Sequence, residues 1–141
     1  LRGFTMTGNM FRSIKGTIDR VERVNATFAS LEMSAVRDVT VNGNMFLNVV
    51  TGTENPLTLD HMQSNHNSTW FIPFSGRLPF GGRALHVTSL INRSKIKSVA
   101  NVNQYTVPWI TPESGDNGDI VEVAWEKDVA GTVTITARMD D

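Results

Sequence analysis

Apolar and polar residues alternate along much of this chain, and in two places the alternation recurs almost residue for residue. Phe4-Thr5-Met6-Thr7-Gly8-Asn9-Met10-Phe11 returns as Val39-Thr40-Val41-Asn42-Gly43-Asn44-Met45-Phe46, with Gly-Asn-Met-Phe identical and an offset of 35 positions. Each copy reads as a period-two strand, then Gly-Asn where the backbone must bend or take a positive φ, then a large apolar pair that turns back inward. A strand, a corner and an anchor at a fixed period predict stacked coils of a β-solenoid, one corner of which carries an excursion. Between the copies, 17–24 and 26–33 are β-branched or alternating and are expected as further short strands. Ser30 to Val36 is also compatible with a short helix, although Leu31, Met33 and Val36 share no single face.

From Thr51 to Ser68 the chain turns polar and rich in turn-forming residues, which places an expected domain boundary near residue 60, with Leu57-Thr58-Leu59 as the last solenoid strand. Beyond it, six strand-like runs are separated by Gly, Pro, Asn and Asp: Trp70–Ile72, Ala84–Ile91, Ile96–Val99, Gln104–Val107, Asp119–Trp125 and Thr132–Arg138. In the last two, Val121, Val123 and Trp125, then Val133, Ile135 and Ala137, fall on one face, and Glu126 to Gly131 is expected to join them as a hairpin loop. The expected architecture is therefore all-β, with residues 1–60 as the end of a solenoid and 61–141 as a C-terminal β-sandwich of jelly-roll-like type.

The phrase Asp38-Val39-Thr40-Val41-Asn42-Gly43-Asn44-Met45-Phe46, and the run Trp70 to Arg83 that follows the boundary, resemble the bacteriophage tailspike and tail-fibre class. That resemblance implies a right-handed parallel β-helix ending in a β-rich C-terminal domain. It also implies a homotrimer on a virion tail or in the extracellular space, binding bacterial surface polysaccharide and in many relatives cleaving it. The phrase fixes no catalytic position, and polysaccharide-degrading β-helix enzymes use the same strand-and-corner grammar, so a fragment of a glycoside hydrolase or lyase is the alternative reading.

Composition narrows the partners. Among 141 residues, 40% are hydrophobic, enough for a core, and thirteen basic against fourteen acidic residues are scattered without a run of one sign. Nucleic acid is therefore not an expected partner. No stretch approaches the roughly 18–20 consecutive apolar residues of a membrane span, so no membrane insertion is expected. With no cysteine, disulfides and thiolate chemistry are excluded. The start at Leu1-Arg2-Gly3, directly in strand-like sequence, leads to the expectation that residues have been removed upstream.

Candidate chemistry is sparse. Glycoside hydrolysis needs two carboxyl groups roughly 5–10 Å apart across one bond. Asp19, Glu22, Glu32, Asp38, Glu54 and Asp60 are the candidates, but Glu22 beside Arg20 and Arg23, and Asp38 beside Arg37, read more simply as local charge pairs. His61 and His66, with Asp60, have loop spacing that could hold a metal, yet no third ligand is fixed, and His86 reads as a strand residue. Neither metal nor cofactor is expected, and no catalytic residue is assigned. A sugar-binding surface sets an aromatic ring beside a few convergent polar groups. Tyr105 and Trp109 with the polar turn at Asp116 and Asn117 are the expected carbohydrate-binding residues, against the plainer reading that Trp70, Trp109 and Trp125 serve the core or a subunit interface.

Overall fold

The two copies of the repeated phrase lie one above the other. In the computed structural model, which describes residues 1–23, 31–74 and 76–140, β1 (Thr5–Thr7) runs parallel to β3 (Thr40–Asn42), and β2 (Met10–Arg12) runs parallel to β4 (Met45–Leu47). The register keeps the period of the sequence, with Thr5 opposite Thr40 and Met10 opposite Met45, and isolated parallel bridges at Arg2–Arg37 and Ile18–Val49 extend the pairing. Gly8 and Gly43 turn both corners with φ of +67° and +63°, a region that side chains with a Cβ disfavour. The Phe11 and Phe46 rings stack with centroids 5.6 Å apart.

Of the strands expected between the copies, 17–23 contributes only the bridge at Ile18. Val24 and the 26–30 part of the second run lie outside the described residues. The helical alternative reduces to one 3-10 turn at Met33–Ala35.

The second half is built on one long strand. β9 (Ile120–Arg138) pairs antiparallel along one edge with β5 (Leu57–Pro73). Along its other edge it pairs in succession with β6 (His86–Asn92), β7 (Lys97–Ser98) and β8 (Trp109–Ser114). A straight strand of this length would span about 60 Å. β9 instead bends so far that its last residue and the turn just before its first meet adjacent residues: Ala84 N–H donates to the Gly118 carbonyl and Leu85 N–H to the Arg138 carbonyl, each at 2.9 Å. On β5 the same fold-back brings the His61 and Trp70 rings, nine residues apart, to 6.0 Å.

The inward faces of the two half-sheets thereby enclose a single core. Trp70 and Trp125 meet at 5.1 Å within it, among Ile72, Val121, Val123, Val133 and Ile135. Gly131, on β9 at the bend, lies under Ile96 so closely that an added Cβ would fall 2.6 Å from its Cδ1.

Three expectations change here. The polar run from Asp60 to Ser68 is the middle of β5, so a strand crosses the expected boundary at residue 60 without interruption. Glu126 to Gly131 is not a hairpin loop; its charged residues Glu126 to Asp128 are exposed at a bulge within the continuous strand β9, and pairing resumes at Val129. The strand expected at Gln104–Val107 falls a few residues later, at Trp109–Ser114, where Pro112 is accommodated on an edge strand beside a register shift between Thr111 and Ser114.

The parallel ladders are joined to the sheet by a buried polar knot. Asn55 and Asp140 are both fully buried. One Asp140 carboxylate oxygen accepts the Val39 N–H at 2.8 Å, and the other accepts Asn55 Nδ2 at 2.8 Å and the Arg138 guanidinium at 3.2 Å. Asn55 also donates to the Val39 carbonyl at 2.7 Å and accepts the Met139 N–H at 3.0 Å. Removing that carboxylate strands the Val39 amide, the Asn55 amide and a guanidinium. Asp140→Ala is therefore expected to lower stability by about 3–5 kcal/mol, measured as a fall in the urea midpoint; a loss below about 1 kcal/mol would mean water replaces the carboxylate there.

Candidate functional site

Strand alternation puts alternate residues of the second half-sheet outside. Thr69, Ala124 and Trp109 form one cross-strand row, and Phe71, Glu122 and Thr111 the next, on the face opposite the row of buried Trp70 and Val123 and partly buried Ile110. Two large rings thus stand on the outer face, Phe71 on one side of β9 and Trp109 on the other, 57% and 77% exposed against 0% for Trp70. Their strands are two spacings apart, roughly 10 Å.

Beside Phe71 the pairing of β5 with β9 breaks register between Gln63 and Asn67 and again between Asn67 and Thr69. Such irregularities bend a strand and re-aim its side chains. Here they open a cleft of about 440 Å³ lined by Gln63, Asn67, Ser68, Thr69, Phe71 and Asp128. The backbone of its rim is held from below: the buried Trp70 indole donates to the Asn67 carbonyl at 3.0 Å and to the Val129 carbonyl at 3.2 Å. Gln63 is positioned as well, its Oε1 2.9 Å from His61 Nε2 and its amide donating to the Asn65 carbonyl at 3.0 Å. The result is one exposed ring, two amides, two hydroxyls and a carboxylate around a shallow opening. Those groups suit a neutral, hydroxyl-rich ligand that can lay an apolar face on a ring and share hydrogen bonds with the amides.

The expected sugar-binding residues do not converge on one point. Tyr105 and Trp109 are both exposed, with Val107 between them at 90% exposure, so the segment leading into β8 presents a row at alternate positions. Asp116 and Asn117 are exposed too, but in the turn beyond the far end of β8, whose last residue, Ser114, is itself about 17 Å from Trp109 along the strand. Trp109 therefore shares its face with Phe71 rather than with that turn. Of the remaining tryptophans, Trp70 and Trp125 are core.

Three of the six carboxylate candidates, Glu22, Asp60 and Asp19, have side-chain partners. Glu22 is buried, takes the Arg20 guanidinium at 2.7 Å on one oxygen and the Thr53 hydroxyl at 3.0 Å on the other, and so ties the segment after β2 to the segment before β5. Asp60 accepts the Thr134 hydroxyl, and Asp19 stands 3.7 Å from Arg23. Among the described residues no three His, Asp or Glu side chains gather as a metal site would need, and no helix is long and apolar enough to cross a membrane.

The cleft residues Gln63, Asn67, Ser68 and Asp128 escape sequence reasoning because the run containing the first three resembles a linker. The usable signal was its density of amides and hydroxyls immediately before the Trp70-Phe71 pair. That pair also offers a direct check on the geometry. Phe71→Ala is expected to change stability by less than about 1 kcal/mol and Trp70→Ala to cost about 3–5 kcal/mol, read by chemical denaturation; equal losses would mean that Phe71 is covered in solution. No family model, no curated protein and no solved structure matches the chain.

Proposed function

We propose that this chain is the C-terminal part of a phage tailspike-like adhesin, closing the end of a right-handed parallel β-helix, holding three subunits together and touching surface polysaccharide through its outer face. The observation that carries the reading is the difference between the two edges of the stacked ladders. The far edge of β3 is sealed: Val41 exchanges both backbone hydrogen bonds with Asn55, at 3.0 and 2.9 Å, and Val39 is taken up by Asp140, Asn55 and Arg138. A stack of coils needs such a seal at its end, since an open strand edge templates further pairing. On this reading the bent sheet that supplies Arg138 and Asp140 is a sandwich-like terminal module.

Trimerisation is supported by apolar surface that stands uncovered among the described residues. Met10, Met45 and Leu47 project from one face of the β2–β4 ladder at 65%, 54% and 42% exposure, and Ile14 and Val50 are exposed nearby in sequence. A threefold arrangement would bury the same stripe on every subunit. The polysaccharide would lie over Phe71 and Trp109, with Gln63, Asn67, Ser68 and Asp128 reaching its hydroxyls.

Two measurements test the reading. Light scattering is expected to give three times the chain mass, and Met10→Glu with Met45→Glu to reduce it to one; a monomeric parent chain overturns the assembly role. On arrays of bacterial surface polysaccharides, Phe71→Ala and Trp109→Ala are each expected to weaken binding at least about tenfold while the far-UV spectrum stays unchanged. Binding that survives both substitutions would remove this face from consideration.

A further inference from the structure

The charges of the chain balance in number but not in place. Between Asp60 and Glu113 there is no acidic residue, while Arg77, Arg83, Arg93, Lys95 and Lys97 all fall in that interval. The two lysines stand on a hairpin. β7 pairs with β9, Lys97 opposite Ala130 and Ser98 opposite Val129, and the chain then turns back so that Lys97 bridges Asn103 and Gln104 N–H donates to the Ile96 carbonyl at 2.7 Å. Asn101 N–H closes the turn on the Ser98 carbonyl at 2.9 Å, with Asn101 itself at φ +60°, and Ser98 N–H donates to the Val102 carbonyl at 2.9 Å. A tight turn followed by one left-handed residue is a common hairpin connection. Its residues are less common: the tip carries Val99 and Val102, 71% and 56% exposed, where turn chemistry favours Gly, Asn, Asp or Ser.

Ile96 anchors the hairpin, buried against Gly131. Strand alternation then directs Lys95 and Lys97 to the opposite face, and the pairing sets Tyr105 beside Lys95 on that face, 89% exposed. Neither lysine is in an ion pair among the described residues. Val107 continues the exposed row, and beside it a groove of about 310 Å³ between β6 and the approach to β8 is lined by Leu90, Pro108 and Ile110 among others. Both ends of the segment are fixed to β9, Ser98 at Val129 and Trp109 at Ala124, so tip and row lie along the bend of that strand. Of the acids on the bend, Asp128 lines the cleft on the β5 side, and Glu126 is followed directly by Lys127.

We infer that this hairpin is a docking surface for a lipid bilayer bearing anionic headgroups, with Val99 and Val102 entering the boundary between headgroups and acyl chains, Tyr105 and Val107 lying in the interface, and Lys95 and Lys97 meeting phosphate. The lysines select an anionic occupant, and the aliphatic tip selects among anionic occupants. A hydrated polyanionic glycan would satisfy the lysines but gain nothing from the valines, whereas a bilayer offers phosphate and hydrocarbon side by side. Tyrosine suits that boundary because its ring is apolar and its hydroxyl is wet. A second copy docked through the same surface would set lysine against lysine across a twofold contact. The attachment is peripheral, through one hairpin and without a span, and it uses none of the residues of the polysaccharide face.

The test is flotation of the whole chain with vesicles of mixed phosphatidylglycerol and phosphatidylcholine, set against vesicles of phosphatidylcholine alone. Binding to the mixed vesicles is expected to be at least about tenfold tighter and to weaken as salt is raised. Val99→Ser combined with Val102→Ser is expected to weaken it at least about tenfold, and Lys95→Ala or Lys97→Ala about fivefold each. The far-UV spectrum is expected to stay unchanged in all of them, because these side chains lie outside the core. Equal binding to both kinds of vesicle, binding that survives the paired valine substitution, or no binding at all overturns the inference. A soluble polyanionic glycan that binds as tightly as the mixed vesicles assigns the surface to a glycan, and a molar mass that falls in the paired valine variant assigns it to a second copy; either result overturns the inference too. Polysaccharide arrays and the Met10→Glu with Met45→Glu mass measurement read other residues, so failure here stays distinct from failure of those roles.

Discussion

The Asp140 carboxylate is the contact on which the two halves of the molecule depend. β1 to β4 have three residues each, far below the length at which a pair of strands is stable alone in water. They persist because β3 is clamped along its far edge. Val36, Val39 and Val41 are buried in the same cluster as Leu57, Ile135, Ala137 and Met139, which attracts the ladders to the sheet without fixing their register. The hydrogen bonds of Asn55 and Asp140 fix it, because only one placement of Val39 lets a single carboxylate serve the Val39 amide, the Asn55 amide and the Arg138 guanidinium together. A buried charge is tolerable only when so fully paired.

From that anchor the sheet is organised by β9, and the bend in β9 decides where function can reside. Folding the strand back on itself buries Trp70 against Trp125 and closes a core that a flat three-stranded ribbon could not form. The same curvature forces β5 out of register opposite the bend. Residues released from pairing there need no longer alternate inward and outward, and Gln63, Asn67 and Ser68 line the cleft beside Phe71 as a consequence. The polar cleft and the aromatic core are two sides of one distortion, with the Trp70 indole, bonded to the Asn67 carbonyl, linking them.

How far the sequence foretold this varies with the range of the interaction. Pairing at an exact period was readable, since the repeated phrase places Thr5 over Thr40 and Met10 over Met45 without any structural knowledge, and the all-β class follows from the same alternation. The inward sets Val121, Val123, Trp125 and Val133, Ile135, Ala137 were readable for the same reason. Continuity was not: at a bend both faces of a strand meet solvent, so Asp60–Ser68 and Glu126–Gly131 carry the composition of loops while lying within continuous strands. β8 was hidden by Pro108 and Pro112, which an edge strand admits and a central one does not. The role of Asp140 was not readable at all, because nothing local distinguishes a carboxylate that spans a hundred residues to reach Val39 from an ordinary polar residue beside Asp141.

A polar seal also explains why the two edges of the ladders differ in kind rather than in degree. An apolar plug would cover β3 equally well for its side chains, but it would leave the outward peptide groups of Val39 and Val41 without partners, and each such buried group costs about 1–3 kcal/mol. Covering a strand edge therefore requires hydrogen-bonding atoms at strand spacing. The chain supplies them from Asn55, which offers its backbone to Val41 and its side chain to Val39, with Asp140 and Arg138 completing the set. Over Thr5 and Thr7 the described residues supply less, the Asn9 side-chain amide donating to the Thr7 carbonyl at 3.1 Å. A lid of that composition at one edge and a single side-chain contact at the other give the paired ladders a polarity.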